Sequence, residues 1–341
     1  MKRLAKKDLT SVLMEWAEHH ALICPTRQQP GDIIFDAFNP ETFILDYGKP
    51  PLSPKACFLP HSEVIFTVHD GAYQTVSSSD KRLIFGLRAC DACGLQQAQR
   101  FMTRDRDDIY YQARWDTTLK VVVACSGPQN ETCFCTTTRS GPIAAEGFDL
   151  QVYDLGDELL IEIGSEAGES LTIGRAFTEP DQKIASDALE AFCKRAQAAI
   201  PLKPEIKASI DALKTDSPHE VWDFLGRKCI TCGGCAFVCP TCTCFNIYDQ
   251  AVSAYTGLRI RAWDACLYGG FTREASGHNP RPSQALRLQR RHEHKLRYYH
   301  ALDIGQALCG CVGCGRCSDF CPVHIGTLEV AQTIVAGGEH V

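Results

Sequence analysis

The chain has 341 residues, 45% of them hydrophobic, with 20 cysteines and a formal net charge of -6; that length and apolar content suffice for sizeable cores in two domains. The mild acidic balance argues against a nucleic-acid surface, which calls for a basic surplus, and no apolar run approaches the length that crosses a bilayer. The start, "MKRLAKKDLTSVLMEW", is basic without the continuous apolar segment of a signal peptide, so a cytoplasmic chain is expected, with its cysteines read as metal ligands ahead of disulfides.

Between about Leu83 and Ile163 the pattern is strands joined by short helices. "RLIFGLR" and "KVVVACS" are apolar, β-branched runs of buried-strand length. "LQVYDLGDELLIEIG" alternates and carries Gly156-Asp157 at its centre, the signature of a hairpin. After Thr178 the period becomes helical: "DQKIASDALEAFCKRAQAAI" repeats its apolar positions at helical spacing until Pro201 and Pro204 interrupt it. "SPHEVWDFLGRKC" opens with Ser217 as N-cap, Pro218 at the first helical position and Glu220 completing a capping box.

Cys229, Cys232, Cys235 and Cys239 stand as C-x2-C-x2-C-x3-C followed by Pro240, and the same spacing returns at Cys311, Cys314, Cys317 and Cys321 followed by Pro322. In two-cluster ferredoxins three thiolates of such a run hold one 4Fe-4S cube and the fourth crosses to the other. The first cube is therefore assigned Cys229, Cys232, Cys235 and Cys321, and the second Cys311, Cys314, Cys317 and Cys239. Zinc, the competing reading, prefers separated C-x2-C pairs. The segment between the runs is an insertion that must leave from and return to neighbouring points. The expected fold is an α/β N-terminal domain, residues 1–175, followed by an α-helical C-terminal domain, residues 176–341, containing this split two-cluster ferredoxin-like unit.

The α/β half has its own cysteines. Cys90 and Cys93 follow one predicted strand, Cys125 follows another, and Cys133 and Cys135 lie on the next loop. Carboxyl ends of parallel strands are where ligands collect. Five thiols compete for four positions, and spacing alone does not say which is spare; buried free cysteines are the alternative.

The ordered set "LSPKACFLPHSEVIF", "GLRACD", "TCFC", "CPTCTCF", "RIRAWDAC", "FTREASGHNPR", "HKLRYY" and "CVGCGRC" resembles the anaerobic sulfite reductase A-subunit family and the related beta subunits of cytoplasmic nickel-iron sulfhydrogenases, from about Leu52 to Ile325. The resemblance implies an electron-transfer subunit with a dicluster and a further cluster region, working beside a subunit that binds flavin and a nicotinamide nucleotide. It implies Cys90, Cys125, Cys133 and Cys135 as the third ligand set, three 4Fe-4S clusters in all, and leaves out Cys93 and Cys309. It also carries Cys242, Cys244 and Cys266, for which a further metal site and thiols packed beside the cubes both stay open.

No P-loop and no strand-to-helix G-x-G-x-x-G fingerprint occurs. The reading is thus a relay between a partner subunit of the flavin or NAD(P)H type and a catalytic redox subunit, with no catalytic residue of its own and no nucleic-acid partner or membrane insertion. The alternatives are a flavin-binding dehydrogenase subunit that works alone and a structural iron-sulfur scaffold. From Arg281 to Arg297 five Arg and one Lys face a single Glu, read either as a solvated helix face or as a docking face or positive field beside the clusters.

Overall fold

A computed structural model describes residues 1–29, 31–76, 80–215, 219–298 and 307–337. In chain order its strands are β1 (Lys2–Ala5), β2 (Ala21–Arg27), β3 (Ile33–Ala37), β4 (Ser62–His69), β5 (Ala72–Thr75), β6 (Arg82–Leu87), β7 (Thr118–Val123), β8 (Leu150–Asp154), β9 (Glu158–Ile163), β10 (Phe177–Thr178), β11 (Phe245–Ala251) and β12 (Thr256–Trp263).

An eight-stranded sheet in the order β10-β1-β9-β8-β7-β6-β2-β3 forms the α/β part. Its centre, β2, β6, β7 and β8, is parallel, and its flanks are antiparallel. The two strands foreseen as buried runs are β6 and β7: Leu83, Ile84, Phe85, Val121 and Val122 are wholly inaccessible, as expected of strands covered on both faces. The hairpin foreseen at Gly156-Asp157 joins β8 to β9, with Gly156 at a φ of 108° that a side chain would strain. The helix Gln182–Ala199 buries Ala185, Phe192 and Ala196 against Tyr153 and Leu160 of this sheet. The boundary expected near residue 175 thus falls just before β10, itself an edge strand of the sheet.

The second part packs the helices Pro204–Lys214, His219–Lys228, Gln284–Glu293 and Thr327–Val335 around Trp222, Ile206, Leu288 and Val330. The capping box expected for the second of these rests on Ser217 and Pro218, which lie outside the described residues. The expectation of an α-helical C-terminal domain is corrected here, because this half also contains strands. The insertion between the cysteine runs carries the β11–β12 hairpin, which extends β4–β5 into a four-stranded sheet in the order β11-β12-β4-β5. Arg261 on β12 and Arg114 both reach Glu63 on β4, Arg261 at 2.6 Å and all three nearly inaccessible. So the insertion ties the two halves together through a shared sheet.

Candidate functional site

Cys229, Cys232 and Cys235 line one pocket together with Cys321, which arrives from the far end of the second run; Leu267, Leu288 and Ile325 close its walls. Gly233 turns the chain there with φ 73°, and a Cβ on it would come within 2.6 Å of Tyr268 Oη. That hydroxyl donates to the Cys232 carbonyl at 3.0 Å. Gln284 Nε2 donates to Cys229 Sγ at 3.0 Å and the Ile325 N–H to Cys321 Sγ at 3.4 Å. Donors aimed at sulfur stabilise thiolate charge and tune the potential of an iron-sulfur cluster.

In the second run the Gly313 N–H donates to Cys311 Sγ at 3.5 Å and the Thr327 N–H to Cys317 Sγ at 3.3 Å. The two runs meet where Cys321 joins Cys229, Cys232 and Cys235 in that pocket, and their thiols feel one another's charge, Cys235 that of Cys317 and Cys314 that of Cys239. Burial pushes the Cys235 and Cys314 thiols up to about 11, and Cys311 well above its ordinary value. Left alone, such thiols stay neutral. Iron offsets that cost, because a coordinated thiol is held as thiolate by the metal's own charge. Cys239 behaves oppositely: a hydrogen bond from Cys242, then Lys295 and Arg291, hold it well below the usual thiol range.

The third group gathers at the rim of the large sheet. Since β6 and β7 are parallel neighbours, Cys90 in the first turn after β6 and Cys125 just past β7 emerge on the same edge. Cys125, Cys133 and Cys135 interact with one another, and Cys90 with Cys135 and with Cys314 of the second run. Cys93 faces elsewhere, toward Gln97, Glu146 and Arg100. The loop bearing Cys133 and Cys135 is fastened to the second run: the Phe134 N–H donates to the Gly313 carbonyl at 2.8 Å and Ser140 Oγ to the Val312 carbonyl at 2.6 Å. Lys49 adds a clamp, pairing with Asp319 at 2.6 Å and donating to Asn130 at 3.0 Å. Beneath both, Arg316 and Asp91 pair at 2.6 Å with neither side chain accessible (0%/0%). Among the described residues, no three Cys, His, Asp or Glu side chains converge on a point as ligands of a single ion.

Residues 228–325 match the family model described as a 4Fe-4S dicluster domain. The beta subunit of sulfhydrogenase 2 from Pyrococcus furiosus is 30% identical over 300 residues, covering 86% of this chain and 86% of that protein. The chain belongs to the sulfhydrogenase beta-subunit family. It is an iron-sulfur electron-transfer subunit with a 4Fe-4S dicluster domain toward its C-terminus. No solved structure matches it, and among the described residues no helix is long and apolar enough to cross a membrane.

What the sequence did not bring out in this family member is the direction of its basic run. Arg287, Arg291 and Lys295 are buried, while Arg290 and Arg297 flank Glu293 nearer the surface. Arg291 Nη2 donates to the Cys235 carbonyl at 2.9 Å and Lys295 Nζ to the Thr241 carbonyl at 3.0 Å. From the other half, buried Lys55 donates to the carbonyls of Ala236 at 2.9 Å and Cys242 at 3.1 Å. Three basic side chains therefore grip the backbone of the first run and of the Thr241-Cys242 segment that follows it, Lys55 with its pKa lowered by burial, and Arg291 adds a field that favours electron-rich sulfur. The interval of four between Arg287, Arg291 and Lys295 was the available signal, since it sets them on one helical face. His292 joins them inside, its pKa pushed down to about 3 by burial and by Arg291.

Proposed function

We propose that the chain relays single electrons within a cytoplasmic multi-subunit oxidoreductase, between a partner subunit that binds flavin and NAD(P)H and a catalytic redox subunit. The ligand sets are Cys229, Cys232, Cys235 and Cys321; Cys311, Cys314, Cys317 and Cys239; and Cys90, Cys125, Cys133 and Cys135, for three 4Fe-4S clusters. When bound, such clusters accept and release one electron at a time.

The observation that carries this reading is the contact series formed by the three cysteine groups. The rim loop lies against the second run through Phe134 and Gly313, and the second run meets the first where Cys321 shares a pocket with Cys229, Cys232 and Cys235. At the end of the series Cys232 is exposed, beside Ile230 and Phe320, which are 56% and 50% exposed. This order of the proposed ligands, from a buried rim to an open surface where a redox partner can approach, supports the reading.

Anaerobic purification followed by iron and flavin analysis tests the proposal. About twelve irons per chain and no flavin are expected. Bound flavin with NAD(P)H oxidation by the isolated chain would overturn it, and about eight irons would remove the third cluster.

A further inference from the structure

Cys244 and Cys266 belong to neither cysteine run, and the β11–β12 hairpin brings them together at its open end. Cys244 immediately precedes β11, Cys266 lies just beyond β12, and the Asp264 N–H donates to the Cys244 carbonyl at 3.0 Å. The two thiols are hydrogen-bonded to each other, and the Cys266 backbone N–H also donates to the Cys244 sulfur. Both residues are half-buried.

Their surroundings set the two sulfurs apart. The Cys266 hydrogen bond, followed by Lys295 and Lys55, lowers Cys244 to about 6, while Cys266 is raised by donating to it and by burial. Lys55 is held in place by the Ala236 and Cys242 carbonyls and lies 4.2 Å from the Trp263 ring centroid. Two thiols hydrogen-bonded to each other at one end of a hairpin, with Cys266 donating to Cys244, form the arrangement of an attacking cysteine and its resolving partner. Such pairs act by thiol–disulfide exchange.

We infer that Cys244 and Cys266 are a redox couple that exchanges with small disulfides, Cys244 attacking and Cys266 resolving. The Cys244 thiolate attacks one sulfur of the substrate RSSR; the RS–SR bond breaks, a mixed disulfide forms on Cys244, and RS⁻ leaves. The Cys266 sulfur then attacks Cys244, the Cys244–Cys266 bond forms and a second RS⁻ leaves. The Cys266 proton and one from water complete two RSH. Two protein thiols are oxidised and one substrate disulfide is reduced, so this corner of the molecule handles electrons in pairs, unlike the clusters beside it. It stands apart from the ligand sets proposed above.

The test uses the whole protein, purified anaerobically, exposed to glutathione disulfide, alkylated and mapped by peptide mass spectrometry. In the unmutated protein a peptide pair linked through residues 244 and 266 is expected, with no loss of iron. Cys266→Ser should accumulate a glutathione adduct on Cys244, and Cys244→Ser should take up none at 266, both with the iron content and cluster spectra of the unmutated protein. Absence of the linked pair in the unmutated protein overturns the inference and needs no variant to fold. Loss of iron in either variant overturns it in favour of a cluster ligand, and its iron count is read separately from that of the twelve proposed ligands.

Discussion

The two cysteine runs share one spacing and live in opposite surroundings. The first is open: Cys232 is exposed and the half-exposed Phe320 ring lies over Gly234. The second is shut in: Cys314 is buried, and Cβ atoms at Gly313 and Gly315 would meet the backbone of Phe134 and Thr132 at 2.6 and 2.4 Å. Identical ligand spacing therefore fixes what kind of cluster can bind, while the packing around each run fixes what that cluster can do. Exposure suits exchange with a partner, and enclosure suits transfer inside the chain.

The contrast can be broken most severely at the ligands. Cys311→Ser should lose about four irons and, because the enclosed run carries the rim loop, also disturb the third group, whereas Cys229→Ser should leave that group's spectrum intact; iron analysis with low-temperature EPR separates the two. Asp91→Asn strands Arg316 without its inaccessible partner and should cost about 3–5 kcal/mol in denaturant unfolding, with Asp91→Leu/Arg316→Met costing less. Gly313→Ala forces a side chain into φ 59° and into the Phe134 backbone, for about 2–4 kcal/mol. Gly234→Ala meets the half-exposed Phe320 ring, which has solvent to turn into, and should cost under about 1 kcal/mol in the same assay. The smallest stability change, within about 0.5 kcal/mol, belongs to Phe320→Ser, which should instead slow electron exchange with a partner in stopped-flow measurements while leaving iron content unchanged.

How far the sequence carried this picture depended on how local each signal was. The strands β6 and β7 announced themselves through unbroken apolar runs, and the β8–β9 hairpin through Gly156. The cysteine spacing put Cys321 with the first run, and the structure brings those four side chains to one pocket. The β11–β12 hairpin went unread because its first strand is largely exposed, so alternation is weak there, and because its partner β4 lies far away in sequence. The basic run left a solvated face, a docking face and a field beside the clusters all open, because a tally of charges carries no direction; only the four-residue interval distinguishes Arg291 and Lys295, turned inward, from Arg290 and Arg297. Asp91 and Arg316 were each visible among cysteines, but nothing local says that they meet.

The sheet shared by β4 and β12 also bears on how the chain is made. Glu63 and Arg261 are 198 residues apart, so at about 5–20 residues per second the free edge of β4 waits roughly 10–40 s on the ribosome before its partner is synthesised. An open strand edge is a template for wrong pairing throughout that interval. The first three cysteines of the opening run emerge well before Cys321, so their pocket too is incomplete until nearly the whole chain is out. Iron loading is consequently a late event, and a nascent chain stalled before the second run would present both a bare strand and a half-built ligand set to whatever chaperone meets it.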